Sequence, residues 1–266
     1  MTAETSGPRA ILKIDKAVRR FGGLVAVNEV SFQALTGQVT GLIGPNGAGK
    51  STMFDLVTGV RPVTSGDIYF RDQCVTHAPP HTRSPMGMAR TFQIVRLFHG
   101  MSVLENVLLG LHPKFPDGIV RALFSSRALA AQERRARDRA MELLEFVGLA
   151  SRAADAIGHL TLGQLRLVDI ARALASDPAL LMMDEPAAGL NDAETGNLLN
   201  MILALKAQGM AMLVVEHDID FIMSACDRIV VMDRGSKIAD ATPDAVRNDE
   251  AVIAAYIGRK ATDATH

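Results

Sequence analysis

At 266 residues the chain is long enough for one large domain or two modest ones, and its 48% apolar residues allow a sizeable core. The formal net charge of −1 gives no general electrostatic reason to expect binding to nucleic acid or to an acidic membrane surface. The two cysteines, Cys74 and Cys226, lie far apart in the sequence, and we interpret them as two core thiols rather than a disulfide or metal site.

Residues 1–9 are small and polar, and they lack the basic-then-apolar layout of a signal peptide. No uninterrupted apolar run approaches the roughly 18–20 residues that a membrane span needs. The sequence therefore predicts a cytoplasmic chain, which depends on another polypeptide for any membrane step. Residues 1–9 and 259–266 are predicted to be flexible termini.

Short apolar runs alternate with helical patterns along the chain, which is typical of an α/β fold. A first set predicts the strands of a β-rich N-terminal lobe, at 11–14, 27–32 and 68–70. A second set is apolar throughout, as in parallel strands buried on both faces, and lies at 39–43, 180–183 and 212–215. Each run of the second set ends in a turn or in polar residues, where open α/β sheets place their binding sites.

The first buried strand leads into a segment that fits GxxxxGK[ST], the pattern of a phosphate-binding loop. A helix predicted at 52–58 follows it, as the mechanism requires. Glycines let the backbone wrap around an anion, and the N–H groups at the helix N-terminus bind phosphate. Lys50 would place a positive charge at the β- and γ-phosphates, and Ser51 would offer a hydroxyl to Mg²⁺. The loop comprises Gly44, Pro45, Asn46, Gly47, Ala48, Gly49, Lys50 and Ser51.

Three further segments follow in chain order. Residues 112–126 carry two prolines and a glycine and are interpreted as an irregular insertion. A helix predicted at 132–147 interleaves arginines with acidic residues, which favours a solvated face over a nucleic-acid patch. Asn191 is predicted to begin another helix, with Glu194 as its capping-box partner, and Gly209 is predicted to end it.

The strand at 180–183 ends in two carboxylates, Asp184 and Glu185. Asp184 would hold the metal shell, either directly or through water, and Glu185 would accept a proton from the attacking water. A structural carboxylate at a helix cap is the alternative for Glu185. The phosphate loop upstream favours nucleotide hydrolysis.

Further motifs resemble those of ABC ATPases and follow the order of that family. Residues 160–164 read Leu-Thr-Leu-Gly-Gln, which resembles the LSGGQ signature. Gln93 resembles the glutamine of the Q-loop, and His217, which follows the strand at 212–215, resembles the switch histidine. Phe21, placed ahead of the first strand pair, resembles the aromatic residue that stacks on adenine.

The resemblance implies four groups of site residues. The catalytic residues would be Lys50, Glu185 and His217. The residues that bind ATP within one subunit would be Phe21, Gly44, Pro45, Asn46, Gly47, Ala48, Gly49, Lys50, Ser51, Thr52, Gln93 and Asp184. The residues that reach the γ-phosphate of the opposing subunit would be Thr161, Gly163 and Gln164. The Mg²⁺ ligands would be Ser51, Gln93 and Asp184.

A narrower resemblance is to the ATPases of branched-chain amino acid importers. It rests on the segments 91–93, 96–98, 101–107, 186–191, 215–218 and 255–258. Within that family the chain is similar to the longer of two ATPase types, with 112–127 as the insertion before the helical lobe. Two residues depart from the wider family's motifs and are also found in this subfamily: Leu162 replaces a signature glycine, and Asn191 replaces the usual aspartate of the D-loop.

In fold, the resemblance implies an α/β protein with a P-loop NTPase core of the ABC ATPase type, an antiparallel β lobe and an inserted α-helical lobe at about 94–160. Residues 10–259 would form a single ABC ATPase domain. ATP would join two such domains head to tail, and hydrolysis would release them. The implied partners are two transmembrane permease subunits, a second homologous ATPase or another copy of this chain, and indirectly an external solute-binding protein. The expected location is the cytoplasmic face of the inner membrane, as a peripheral subunit.

The resemblance implies ATP hydrolysis that powers uptake of branched-chain or related hydrophobic amino acids. Another cargo, such as urea, amides or lipopolysaccharide, is an alternative, because the chain itself does not touch cargo. A non-transport ABC ATPase that acts on ribosomes or DNA is disfavoured, since there is one ATPase domain, no coiled-coil insertion and no basic stripe.

Leu97 and Phe98 follow Gln93 closely and leave two interpretations open. They would either belong to the core of the helical lobe or line the groove that receives a cytoplasmic helix of the permease.

Overall fold

A computed structural model describes residues 9–93, 95–111 and 126–263 of the chain. Ten strands, nine α-helices and two short 3-10 helices occur in this part of the chain. In chain order they are β1 (Ala10–Phe21), β2 (Leu24–Leu35), β3 (Val39–Ile43), α1 (Lys50–Thr58), β4 (Ser65–Phe70), β5 (Gln73–Cys74), α2 (Pro80–Arg83), β6 (Met88–Arg90), α3 (Val103–Leu109), α4 (Ser126–Phe146), α5 (Leu162–Ala175), β7 (Leu180–Asp184), α6 (Asp192–Ala207), β8 (Ala211–Val215), α7 (Ile219–Ala225), β9 (Arg228–Asp233), β10 (Ser236–Ala241), α8 (Pro243–Arg247) and α9 (Glu250–Asp263).

The first sheet is a four-stranded antiparallel lobe in the order β2-β1-β4-β5, which confirms the predicted β-rich N-terminal part. Its long strands extend well beyond the predicted apolar runs, because polar residues on one face continue the pairing. Register shifts interrupt the β1–β2 ladder, and Lys16 and Glu29 there have positive φ angles of 47° and 50°. Phe21 is the last residue of β1, so its predicted position ahead of the strand pair is wrong.

The second sheet has six strands in the order β10-β9-β3-β8-β7-β6, and only the β9–β10 pair is antiparallel. Every residue of β3, β7 and β8 is buried, as their unbroken apolar sequences predict. Two hydrophobic clusters cover the two faces of this sheet. The carboxyl ends of β3, β7 and β8 lie at one edge, where the polar residues that follow them come together.

The helices α3, α4 and α5 pack against one another in a helical lobe. α5 lies beyond the expected bounds of about 94–160, which stay a prediction. α5 begins at Leu162, where Thr161 and Gln164 form a capping box. α4 begins at Ser126 rather than at 132. The predicted insertion at 112–127 lies outside the described residues except for its last two. Among the described ranges, no helix is both long and apolar enough to cross a bilayer.

Three other expectations can be compared with the structure. The capping box of Asn191 and Glu194 at the start of α6 is confirmed. The interpretation of both cysteines as core thiols is wrong for Cys74, which is exposed at a lobe edge, and right for Cys226, which is buried. α9 continues past the predicted domain end at residue 259, and the boundaries of the domain stay a prediction.

Candidate functional site

The glycine-rich loop connects β3 to α1, as its sequence predicts, and two of its glycines have no room for a side chain. Gly44 and Gly49 have φ angles of 150° and 102°, which favour glycine. A Cβ atom at Gly44 would collide with the carbonyl oxygen of Met232, and one at Gly49 with that of Ala26. The loop is therefore held against β9 and β2 by backbone-to-backbone contact, and its shape requires glycine at both positions.

Lys50 begins α1 and is buried beneath the loop. Its ammonium nitrogen donates to the carbonyl oxygens of Gly44 and Pro45, at 2.7 and 3.1 Å. Ser51 follows with an exposed side chain on the first turn of the same helix. The positive end of the helix, the lysine and the serine hydroxyl thus point to one place, which is suited to a phosphate chain.

Asp184, at the end of β7, is buried and bound to a neighbouring arginine. Arg90 of β6 donates to Asp184 Oδ2 at 2.9 Å and to Asp55 Oδ1 at 2.8 Å. Burial raises the pKa of Asp184, and the hydrogen bond and positive charge of Arg90 oppose that rise. No sequence motif assigned a role to Arg90.

Glu185 lies between Gln93, a predicted Mg²⁺ ligand, and His217, a predicted catalytic residue. Gln93 Nε2 donates to Glu185 Oε2 at 2.5 Å, and His217 Nε2 lies 2.7 Å from Glu185 Oε1. Glu185 has φ 49°, a left-handed conformation that is costly for a residue with a side chain. Arg166 of α5 holds this turn, because its guanidinium donates to the carbonyl oxygens of Glu185 and Ala188 at 2.9 and 2.7 Å.

Glu216 is a buried carboxylate that shapes the same edge from within. Its side chain accepts hydrogen bonds from the backbone N–H groups of Ala187, at 2.6 Å, and His217, at 2.9 Å. Burial raises the pKa of Glu216, while these backbone hydrogen bonds and one from Asp218 lower it. It joins the segments after β7 and β8 and so fixes the spacing between Glu185 and His217.

One cleft of about 660 Å³ collects most of the predicted ATP-binding residues of a single subunit. Its lining includes Phe21, Asn46, Gly47, Ala48, Gly49, Lys50, Ser51, Thr52, Gln93, Glu185 and His217. The Phe21 ring stands at the rim, with the guanidinium groups of Arg19 and Arg61 at 4.6 and 5.4 Å from its centroid. An aromatic ring at the mouth and a phosphate loop at the base match the two ends of a nucleotide.

The signature residues lie elsewhere. Thr161, Gly163 and Gln164 line a separate groove of about 720 Å³ between the helical lobe and α6. The Leu162 side chain is 47% exposed beside them. A single chain therefore does not bring the signature to its own phosphate loop.

The residues present suit a magnesium ion that arrives with a nucleotide. In the described part of the chain, no group of three or more His, Cys, Asp or Glu side chains could hold a metal. The predicted ligands are instead one hydroxyl, one amide and one carboxylate, of Ser51, Gln93 and Asp184. Mg²⁺ commonly binds to one or two such oxygens and to substrate phosphates, so the donor set fits.

The Leu97–Phe98 pair has a divided environment. Leu97 is 8% exposed and belongs to the main hydrophobic cluster, so the groove-facing interpretation is wrong for this residue. Phe98 is 56% exposed and lines a groove of about 430 Å³ with Arg90, Phe92 and Arg172. The core interpretation is therefore wrong for Phe98.

Sequence reasoning also gave no role to three residues besides Glu216: Arg90, Arg166 and Asn106. Each is a polar residue inside an otherwise apolar or structural segment. That is the only signal the sequence offers, and it does not name the partner. Asn106 is fully buried in α3 and binds the backbone of Phe98.

Comparison with protein families gives two matches. Residues 27–188 match the model of the ABC transporter family, and residues 236–262 match that of the branched-chain amino acid ATP-binding cassette transporter. The first match spans the phosphate loop, the signature and the acidic strand end. The second covers the C-terminal segment.

Curated relatives match nearly the whole chain. It is 40% identical to the high-affinity branched-chain amino acid transport ATP-binding protein LivG of Escherichia coli K12, over 93% of this chain and 98% of that protein. It is 41% identical to the corresponding BraF of Pseudomonas aeruginosa, over 94% and 98%. Among solved structures it is similar to the ADP conformation of an ATP-binding cassette of an ABC transporter, with a TM-score of 0.81, 32% identity and coverage of 94% and 99%. The predicted fold class and family resemblance are confirmed.

Proposed function

Because this chain belongs to the ABC transporter family of ATP-binding subunits, we propose that it hydrolyses ATP to power the uptake of branched-chain or related hydrophobic amino acids. Members of this family hydrolyse ATP, and the chain is an ATPase. The cargo assignment is carried by one observation, the match of residues 236–262 to the C-terminal model of branched-chain amino acid cassettes. The relatives named for this cargo support it along their full length.

The cleft between Phe21 and the phosphate loop would hold ATP. The adenine would stack on the Phe21 ring, and the loop from Gly44 to Thr52 would wrap the phosphates. Lys50 would exchange its contacts with the carbonyl oxygens of Gly44 and Pro45 for the β- and γ-phosphate oxygens. Ser51, Gln93 and Asp184 would hold Mg²⁺, which when bound supplies positive charge to the phosphates.

Glu185 is the general base in this account. Its carboxylate is held from two sides, by the amide of Gln93 and the imidazole of His217, which fixes both oxygens beside the phosphate loop. A carboxylate at the end of a buried strand can accept a proton from a water aimed at the γ-phosphate. His217 would contact the γ-phosphate as well as Glu185, and so couple the presence of that phosphate to the position of the base. Catalysis then consists mainly of positioning and charge stabilisation.

The separation of the signature from the phosphate loop supports a dimer. Thr161, Gly163 and Gln164 face a different groove from the ATP cleft of the same chain, so they would complete the site of an opposing subunit. The N-terminus of α5 would direct its partial positive charge to that γ-phosphate. The opposing subunit is a homologous ATPase or another copy of this chain.

The groove that Phe98 lines would receive a cytoplasmic helix of a permease. Phe92, the residue before Gln93 in the chain, also lines this groove, so movement of the Q-loop would reach the membrane subunits directly. The assembly would contain two permeases and work indirectly with an external solute-binding protein. The chain would therefore sit peripherally on the cytoplasmic face of the inner membrane.

Uptake of labelled leucine, isoleucine and valine tests the cargo in a strain that lacks this chain. The parent protein should restore uptake, while Glu185→Gln, produced at equal level, should not. If the parent protein restores uptake of urea or of short amides and does not change uptake of the three amino acids, the proposed cargo is wrong. ATP hydrolysis by the purified parent protein is measured in parallel. Hydrolysis without uptake of the three amino acids would reject only the cargo, whereas absence of hydrolysis would reject the ATPase activity.

A further inference from the structure

Arg90 joins the two elements that carry the proposed metal ligands. It lies at the end of β6, the edge strand of the six-stranded sheet, and pairs in register with Met182 of β7. One guanidinium nitrogen donates to Asp184 Oδ2 of β7 at 2.9 Å, and another to Asp55 Oδ1 of α1 at 2.8 Å. Asp55 is one helical turn beyond Ser51 and on the same face of α1.

The surroundings allow the guanidinium little freedom. Its central carbon lies 4.9 Å from the centroid of the Phe54 ring and 5.2 Å from that of Phe92, and its side chain is only 15% exposed. Asp184 is more deeply buried, at 9%. Two aromatic rings and two carboxylates thus hold one arginine in one orientation.

We propose that Arg90 is a positioning residue for the magnesium–nucleotide complex. By binding Oδ2, it fixes the orientation of the Asp184 carboxylate and leaves Oδ1 for the metal shell. By also binding Asp55 on α1, it keeps the Asp184 carboxylate at a fixed distance from Ser51 on the same helix. The inference rests on the proposed function, and it adds a residue to which neither the family motifs nor the comparisons give a role.

The geometry requires arginine rather than any cation. A planar guanidinium can donate to two carboxylates in fixed directions, while a lysine ammonium is a point charge on a flexible stem. Arg90→Lys therefore keeps the charge beside Asp184 and removes the bridge. Any change in metal dependence then reflects positioning rather than lost charge.

Arg139→Lys is the matched control. Arg139 also bridges two carboxylates, those of Glu142 and Asp177, at 3.0 Å each, but it lies on α4 and does not line the ATP cleft. Asp55→Asn provides a second route to the same effect, because it removes the other anchor of Arg90 and leaves Asp184 untouched.

The measurement is binding of a fluorescent, non-hydrolysable ATP analogue during a Mg²⁺ titration and again in EDTA. Loss of an outer partner of a metal ligand commonly weakens metal affinity by roughly 10–100-fold. Arg90→Lys should raise the Mg²⁺ concentration for half-maximal binding by about tenfold and leave binding in EDTA unchanged. Asp55→Asn should shift it in the same direction, and Arg139→Lys should match the parent.

Three results would overturn the inference. One is an unchanged Mg²⁺ dependence in both Arg90→Lys and Asp55→Asn. Another is an equal loss of binding with and without Mg²⁺, which would indicate a general structural role. The third is a shift in Arg139→Lys as large as that in Arg90→Lys. A parent protein that does not bind the analogue at any Mg²⁺ concentration would instead reject the proposed function, and the inference with it.

Discussion

The side-chain amide of Asn106 binds both polar groups of the Phe98 backbone. Its oxygen accepts from the Phe98 N–H at 2.8 Å, and its nitrogen donates to the Phe98 carbonyl at 3.1 Å and to the Ser102 carbonyl at 2.9 Å. Asn106 is completely buried, while the Phe98 ring is 56% exposed. A buried amide thus fixes the backbone of a residue whose ring projects into a groove.

Phe98→Ala should leave the isolated protein nearly as stable as the parent, because little of the ring is buried. We expect a change in unfolding free energy within about 1 kcal/mol and a near-normal basal ATPase rate. Association with the permeases and transport should fail together. The neighbouring Leu97→Ala is the control, and it should lose about 2–5 kcal/mol because Leu97 belongs to the core. Denaturant unfolding measures both, and full transport by Phe98→Ala would reject the groove as a docking site.

Asn106→Asp should destabilise the helical lobe. The carboxylate can still accept from the Phe98 N–H, but it cannot donate to the carbonyl oxygens of Phe98 and Ser102. Leaving buried acceptors unpaired beside a charge should cost at least about 2 kcal/mol. Asn197→Asp, on an exposed position of α6, should have almost no effect. Equal melting temperatures for the two variants would show that the Asn106 amide does not stabilise the segment from Phe98 to Ser102.

Lys50→Ala should abolish most nucleotide binding and keep the fold. The lysine serves the phosphates in this account, and we expect at least a tenfold loss of ATP affinity, about 1.4 kcal/mol. Lys13→Ala, at a half-exposed position on the β lobe, is the control and should bind ATP normally. Calorimetric titration with ATP makes the comparison. An affinity of Lys50→Ala within about threefold of the parent would refute the assignment of the phosphate loop.

The two cysteines should differ in reactivity. Burial raises the pKa of Cys226 to about 12, and the nearby charge of Asp227 adds to this rise. Because the pKa is raised, almost no reactive thiolate exists at pH 8, and the thiol is covered as well. A maleimide should label only the exposed Cys74 in the folded protein and both cysteines in denaturant, as judged by intact mass. Rapid double labelling of the folded protein would contradict the buried position of Cys226.

The sequence predicts contiguous features of this site well and contacts across the chain poorly. The phosphate loop is predicted because its glycines, Lys50 and Ser51 are adjacent and their pattern has a mechanism. The buried strands are predicted because residues such as those of β7 are apolar throughout. The contact between Arg90 and Asp184 spans 94 positions, and that between Gln93 and Glu185 spans 92. No local pattern identifies such partners.

Local conformation also cannot be predicted from the sequence where tertiary contacts override the preference of a residue type. Glu185 adopts a left-handed φ that its residue type disfavours, because Arg166 and the neighbouring strand fix its backbone. Leu97 and Phe98 look alike as a pair of apolar residues, yet one is core and the other surface. Their difference depends on Asn106, several positions further on. The family resemblance treated the two residues alike, and their different burial follows only from the structure.

The most direct measurement is phosphate release from ATP by Glu185→Gln, since Glu185 is the proposed base. The amide keeps the shape and much of the hydrogen bonding of the carboxylate but cannot take a proton. We expect ATP affinity near that of the parent and a fall in hydrolysis of roughly 10²–10⁴-fold. Glu142→Gln, on an exposed face of α4, should hydrolyse ATP at the parental rate. If Glu185→Gln and the parent release phosphate equally fast, Glu185 is not the base and this account of the site is wrong.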